Sequence, residues 1–250
     1  MTSLSTFTFL LIVFFLASGK TSISTQEEKG MENQSMRKPK ILCLHGFRTS
    51  GFIFKSMCRK LGPTILEKLD LDFIDGPYPA EGESAAEGIY DPPYYEWFQL
   101  NDNNTVYTHF NECVTFLEDY MAKHGPYDGL MGFSQGAVLS GGLIGMQIHG
   151  DALKNIPKLK FVIFISGGKL GGPRFSAPKL AVNAFASPIQ TPSLHFLSDK
   201  DFLRADGEVL KKSFVDPVAI YHNMGHTVPI MDEKNTKIML RFIDRIQQLL

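Results

Sequence analysis

Three side chains that close apolar runs could together perform nucleophilic acyl chemistry: Ser134, Asp201 and His226. Ser134 stands in Gly132-Phe133-Ser134-Gln135-Gly136, a G-x-S-x-G stretch after the apolar run Tyr127-Asp128-Gly129-Leu130-Met131 and before the helix-like Ala137-Val138-Leu139-Ser140. A serine hydroxyl is a poor nucleophile at neutral pH, so it needs a base and a backbone that lifts it clear of its neighbours. A sharp strand-turn-helix gives that exposure, and glycines at 132 and 136 leave room where a side chain would collide. Taken alone, the motif also reads as a small-residue turn between a buried strand and a helix. What separates the two readings is an acid and a histidine following in order. His226, in a Gly-His turn after the last apolar run, is the candidate base. Asp201, in Ser198-Asp199-Lys200-Asp201, would fix the imidazole tautomer and stabilise the imidazolium. Asp199 and His222 are rivals for these roles, each nearer to, or inside, its own strand.

Charge developing on a carbonyl oxygen would be met by two backbone N–H groups. One belongs to Phe47, following His45-Gly46, and the other to Gln135, directly after the serine. Each would be worth about two to three orders of magnitude in rate. The His45 side chain reads as a brace for its loop rather than a proton carrier. No H-E-x-x-H occurs, and Ser166 to Gly172, though glycine-rich, matches neither a Walker loop nor G-x-G-x-x-G. The expected chemistry therefore uses no metal and no cofactor.

The elements that must position these residues follow from apolar patterning. Lys40 to Leu44, Leu71 to Ile74, the run before Ser134, Phe161 to Ile165, Ser193 to Leu197 and Val218 to Tyr221 read as strands, the first and fourth of them buried. Helical spacing predicts helices over Phe52 to Leu69 with a Gly-Pro break at 62 and 63, Val106 to Lys123, Ala137 to Ile148, Arg204 to Phe214 and Asn235 to Leu250. Strands alternating with helices imply an α/β fold, a mostly parallel, doubly wound sheet with helices on both faces. Ser134, Asp201 and His226 then all fall at carboxyl ends of strands, where function sits in such sheets. Pro77 to Leu100 is a long loop rich in Pro, Gly and aromatics. Tyr78, Tyr94, Tyr95, Trp97 and Phe98 are read as a wall of an apolar substrate pocket, with pinning of the loop to the core as the compatible alternative.

The formal net charge of −1 gives no electrostatic ground for nucleic acid as a partner. Cys43, Cys58 and Cys113 are an odd set without C-x-x-C spacing, so the thiols are read as reduced and structural. Phe9 to Ala17 is continuously apolar and followed by Ser18-Gly19, like the core of a secretory signal, yet Met1 to Thr8 lacks the positive start. It is also shorter than the about 20 residues of a membrane helix. Residues 1–38 are therefore expected to be an apolar, then polar and largely disordered leader. Residues 39–250 are expected to form the functional domain.

Five stretches resemble a known family: Ile41-Leu42-Cys43-Leu44-His45-Gly46-Phe47-Arg48-Thr49-Ser50-Gly51, Phe73-Ile74-Asp75-Gly76-Pro77, Gly132 to Ala137, Asp199-Lys200-Asp201 and Gly225-His226-Thr227-Val228-Pro229. They are similar to the FSH-type small serine hydrolases, the family of the ovarian-cancer-associated hydrolase. The resemblance implies a compact α/β-hydrolase without a large lid, acting on carboxylic esters of medium-to-long alkyl or acyl chains, with its triad on Ser134, Asp201 and His226. An acyl thioesterase with the same triad and a non-catalytic ligand receptor on the same scaffold are the rival readings. The expected partner is a small-molecule ester with an apolar chain, with no stable membrane span. Relatives of this kind are cytosolic and some also nuclear; a secretory route is the alternative if residues 1–19 act as a signal.

Overall fold

Short apolar runs buried on both sides form central strands of parallel sheets, because crossover helices cover both faces. A computed structural model, which describes residues 37–250, contains one six-stranded sheet whose interior strands are of this kind. Its strands are β1 (Lys40–Leu44), β2 (Asp70–Ile74), β3 (Gly129–Phe133), β4 (Phe161–Ile165), β5 (Ser193–Ser198) and β6 (Val218–His222). All pair in parallel, in the order β6-β5-β4-β3-β1-β2. The fully buried strands, β3, β4 and β5, are interior, whereas β2 and β6 are partly exposed edges.

Successive side chains of a strand point to opposite faces, so each strand feeds two cores. Leu42 and Leu44 of β1 join one core with α2 (Phe110–His124) and α3 (Gln135–His149); Leu210 of α4 (Arg204–Lys211) lies in it too. Ile41 and Cys43 join the other, against Phe54 of α1 (Gly51–Cys58) and Met239, Phe242 and Ile246 of α5 (Glu233–Gln247). Helix starts follow capping chemistry: Ser50 accepts from Ile53 N–H at 3.2 Å and Asp232 from Asn235 N–H at 2.7 Å. Helix α3 is buried from Gln135 through Met146, as its nearly uniform apolar and small residues require. Cys43, Cys58 and Cys113 are free and buried, and burial pushes their thiols up.

The strand order places one reversal in the sheet. From β1 the chain steps outward to β2, returns past β1 to β3, and then winds the other way through β4, β5 and β6. The crevice of such a sheet opens where the winding reverses. Here that point lies between the carboxyl ends of β1 and β3, which lead into Phe47 and Ser134.

Element boundaries differ from the sequence reading in places with local causes. The strand before Ser134 is Gly129–Phe133, running to the residue before the serine. Helix α2 starts at Phe110 rather than Val106, because Tyr107–Thr108 is taken into a two-residue antiparallel ladder with Gln99–Leu100. The aromatic segment is likewise structured, with Tyr78–Pro79 paired to Tyr95–Glu96. The described residues begin two before 39, and Arg37 donates to both carboxylate oxygens of Asp128, at 2.6 and 2.7 Å. The rest of the expected leader lies outside the described residues. Among the described residues no helix is long and apolar enough to cross a membrane.

One close approach tests this packing. A Cβ on Gly145 of α3 would overlap the carbonyl oxygen of Ala184. Alanine gains about 1 kcal/mol of helix preference over glycine, but the obstacle is backbone and cannot rotate away. Gly145→Ala is expected to be destabilising by about 2 kcal/mol net, a fall in Tm of roughly 4–8 °C by calorimetry.

Candidate active site

The turn from β3 into α3 forces Ser134 to φ 52° and ψ −115°, a strained region for a residue with a side chain. Its neighbours hold it there. Ser134 N–H donates to Ile165 C=O at 3.0 Å, and Gly136 N–H donates to His45 C=O at 3.1 Å. A Cβ on Gly136 would overlap Leu44 C=O, and one on Gly132 would overlap Gly136 C=O, so both glycines are needed for close backbone approach. The serine hydroxyl is thereby presented above the sheet at the start of α3, where the helix dipole is positive.

His226 Nε2 lies 2.9 Å from Ser134 Oγ, and His226 Nδ1 lies 2.8 Å from Asp201 Oδ1. Burial alone would push the Asp201 carboxyl up. Hydrogen bonds from His226 and from Leu203 N–H, helped by the nearby Ser166 hydroxyl, outweigh it and hold the carboxyl below its ordinary range. The buried Ser166 hydroxyl forms no hydrogen bond of good geometry, so the bonds from His226 and Leu203 N–H hold the charge. An ionised Asp201 only accepts, so His226 carries its proton on Nδ1 and offers Nε2 to the Ser134 O–H. The imidazole lies between two rings, Phe133 at 5.1 Å and Phe202 at 4.4 Å between centroids. The loops carrying Asp201 and His226 are joined through Ser198, whose Oγ accepts from Gly225 N–H at 2.9 Å and Lys200 N–H at 3.3 Å.

The rival residues sit elsewhere. Asp199 is exposed and pairs with Arg204 at 3.2 Å. His222 accepts from Met224 N–H at 3.3 Å, and its Nε2 is buried without a partner. Burial lowers its pKa, opposed by Asp201 and Asp199.

The N–H groups of Phe47 and Gln135 enter no backbone–backbone hydrogen bond among the described residues. The loop that carries Phe47 is braced through His45. Gly76 N–H donates to His45 Nε2 at 2.9 Å, so Nδ1 carries the proton and donates to Gly46 C=O at 2.7 Å. His45 C=O accepts from Trp97 Nε1–H at 2.9 Å as well as from Gly136. Burial pushes the His45 pKa down to about 4. It is a neutral structural ring near neutral pH. Gln135 adds a bond set that its sequence position did not announce: Oε1 accepts from Trp97 N–H at 3.1 Å and Nε2 donates to Phe98 C=O at 2.8 Å.

Two cavities, of about 420 and about 380 Å³, meet at Phe47, Ser134 and Phe202. Of the five aromatics expected to wall a pocket, only Phe98 lines either cavity. Trp97 is wholly buried beneath the His45 loop, 4.9 Å from the His45 ring. Tyr78 stacks on His109 at 4.4 Å, Tyr94 O–H donates to Tyr90 C=O at 2.5 Å, and Tyr95 sits in the ladder with Pro79. Those four pack against their own segment or its neighbours and line neither cavity. The residues that reach the cleft instead include Phe202, which follows Asp201 directly, and Ile89, both much exposed. Adjacency to the acid was the one available signal for Phe202. Among the described residues no group of three or more His, Cys, Asp or Glu is placed to hold a metal ion.

Fold and site together define the α/β-hydrolase class. Zea mays acyl-protein thioesterase 2 superposes with a TM-score of 0.54 at 18% identity, over 86% of this chain and 96% of that one. The family model described as "Serine hydrolase (FSH1)" matches residues 32–238, and the chain belongs to that family. A Caenorhabditis elegans esterase is 30% identical over 82% of this chain and 92% of its own length. The Mus musculus esterase OVCA2 is 27% identical over 84% of this chain and 97% of its own. A Schizosaccharomyces pombe protein named dihydrofolate reductase is 30% identical over 78% of this chain, which spans 45% of that longer protein. The protein is a serine hydrolase.

The buried His45 ring also sets an acid limit. An unfolded chain binds a proton on this histidine below its ordinary pKa of 6.5, whereas the fold refuses it until about 4. Stability is therefore full above about pH 6.5, falls as pH drops toward about 4, and levels off below, by up to about 3 kcal/mol for this one group. His195, pushed down to about 3 by burial, adds a fall of the same sign. His45→Gln is expected to shrink the loss between about pH 6.5 and about 4, as read from urea midpoints.

Proposed function

We propose that the protein cleaves carboxylic esters carrying medium-to-long apolar chains, through a Ser134–His226–Asp201 triad and an acyl-enzyme on Ser134. The observation that carries this reading is the unbroken line from Ser134 Oγ to His226 Nε2 at 2.9 Å and from His226 Nδ1 to Asp201 Oδ1 at 2.8 Å. Family membership supports the hydrolytic class, and the names of the two esterase relatives support ester as the substrate bond.

In this reading Ser134 Oγ attacks the ester carbonyl carbon while its proton passes to His226 Nε2. The carbonyl oxygen becomes an oxyanion that accepts from Phe47 N–H and Gln135 N–H. The C–O bond to the alcohol then breaks, and the His226 proton goes to the departing oxygen. Water enters, gives its proton to His226 and attacks the acyl-enzyme; release of the acid returns the proton to Ser134. Asp201 keeps its charge throughout and stabilises the imidazolium. Residues 39–250 would constitute the catalytic domain. The three free, buried thiols suit a reducing compartment and support a cytoplasmic setting.

Fluorophosphonate labelling and p-nitrophenyl ester hydrolysis test the assignment. Ser134→Ala is expected to abolish labelling, and Asp201→Asn to lower kcat by about 10⁴-fold, because the wrong tautomer is imposed on His226. A folded wild type that neither labels nor turns over would sink the proposal and favour a ligand-binding role for the cleft.

A further inference from the structure

Resting on the serine-esterase reading, we infer that the cleft sorts the two halves of its ester: the apolar chain is read on the alcohol side, and the acyl side takes a short or polar group. The two cavities at Ser134 differ in which catalytic partner borders them. His226 and Thr227 line the smaller one, and Gln135 lines the larger. Around the tetrahedral carbon the oxyanion turns toward the Gln135 and Phe47 N–H groups. The departing oxygen must turn toward His226 Nε2 to receive its proton. The alkoxy group therefore occupies the cavity that His226 borders, and the acyl group takes the other.

The linings then decide what each half can be. The alcohol-side cavity is walled by Ile53, Met57, Ala86, Ile89, Phe133 and Phe202. Its one lysine, Lys60, donates to Thr227 Oγ1 at 3.0 Å. The acyl-side cavity carries Asn101, Asp102 and Asn104 beside its apolar groups, together with Arg48 and Arg174, which pair with Glu96 at 2.7 Å and Asp206 at 2.9 Å. A long chain laid there would strip water from the exposed Asp102 carboxylate without replacing its hydrogen bonds. The alcohol-side wall is also built rather than loose. Ser84 Oγ donates to Arg48 C=O at 2.5 Å and accepts from Ala86 N–H at 3.0 Å, and Arg48 Nη1–H donates to Glu83 C=O at 3.1 Å. At its mouth Ile89 and Phe202 are 75% and 63% exposed, apolar surface that packing leaves uncovered and that an alkyl chain would cover.

The test is a pair of isomers with equal hydrophobicity, hexyl acetate and methyl heptanoate. Wild type is expected to show kcat/KM at least about tenfold higher for hexyl acetate, since each buried methylene is worth up to about fourfold. Across methyl, butyl and hexyl acetates, kcat/KM should rise while kcat approaches a common ceiling, because all three pass through the same acetyl-enzyme. Ile89→Asn, at an exposed position that does not threaten the fold, should cut the hexyl-to-methyl acetate ratio by about threefold or more. Parity between the isomers, a preference for methyl heptanoate, or a ratio unmoved in Ile89→Asn would overturn the inference even if Ser134 labels normally. Absence of both labelling and turnover would instead remove the serine-esterase reading, and the sorting with it.

Discussion

The hydrogen bond from Gly136 N–H to His45 C=O, with the glycine Cα pressed against the end of β1, is the junction on which the site depends. It joins the first turn of α3 to the loop after β1 at the point where the sheet reverses its winding. Through it, the strained Ser134 backbone and the Phe47 N–H are fixed relative to one another. No side chain can enter here, so the geometry is set by main chain alone and tolerates only glycine.

From that junction a buried polar network spreads outward. His45 uses its carbonyl on Gly136 and Trp97 and its ring on Gly76, tying three segments distant in sequence. The Gln135 side chain then closes both backbone groups of the Trp97-Phe98 pair that face it. A ring that must accept at Nε2 inside a dry interior has to stay neutral, and burial lowers its pKa against the hydrogen bond to Gly46 C=O and the nearby Asp75, which raise it. The aromatic segment is thus a strap across the elbow, and its large rings are spent on fixing that strap rather than on facing solvent.

The other half of the site is assembled from the far side of the sheet. The loops after β5 and β6 meet through Ser198, and His226 is steadied by one ring from the elbow strand and one from the residue after Asp201. Low dielectric around Asp201 would favour its neutral form, yet the bonds from His226 and Leu203 keep it charged. A charged acceptor beneath Nδ1 is what leaves Nε2 free to accept from Ser134.

Much of this was legible in the sequence because it depends on local pattern. The six strands are short apolar runs, the helix break at Gly62-Pro63 is local stereochemistry, and the G-x-S-x-G turn needs its own glycines. Chain order alone brought Ser134, Asp201 and His226 to strand ends. Other features were decided by contacts between segments far apart in sequence. Loop position already favoured Asp201 over Asp199 in the sequence; what packing adds is that Asp201 meets His226 while Asp199 pairs with Arg204. Aromatic composition could not tell lining from strap, since a ring buried under His45 and a ring facing the cleft have the same hydropathy. Nor could it show that Ile89 would stand exposed at one cavity and Phe202 where the two meet, while arginines and asparagines gathered at the other. Periodicity reports which way a side chain points from its own element; only tertiary packing fixes what it meets there.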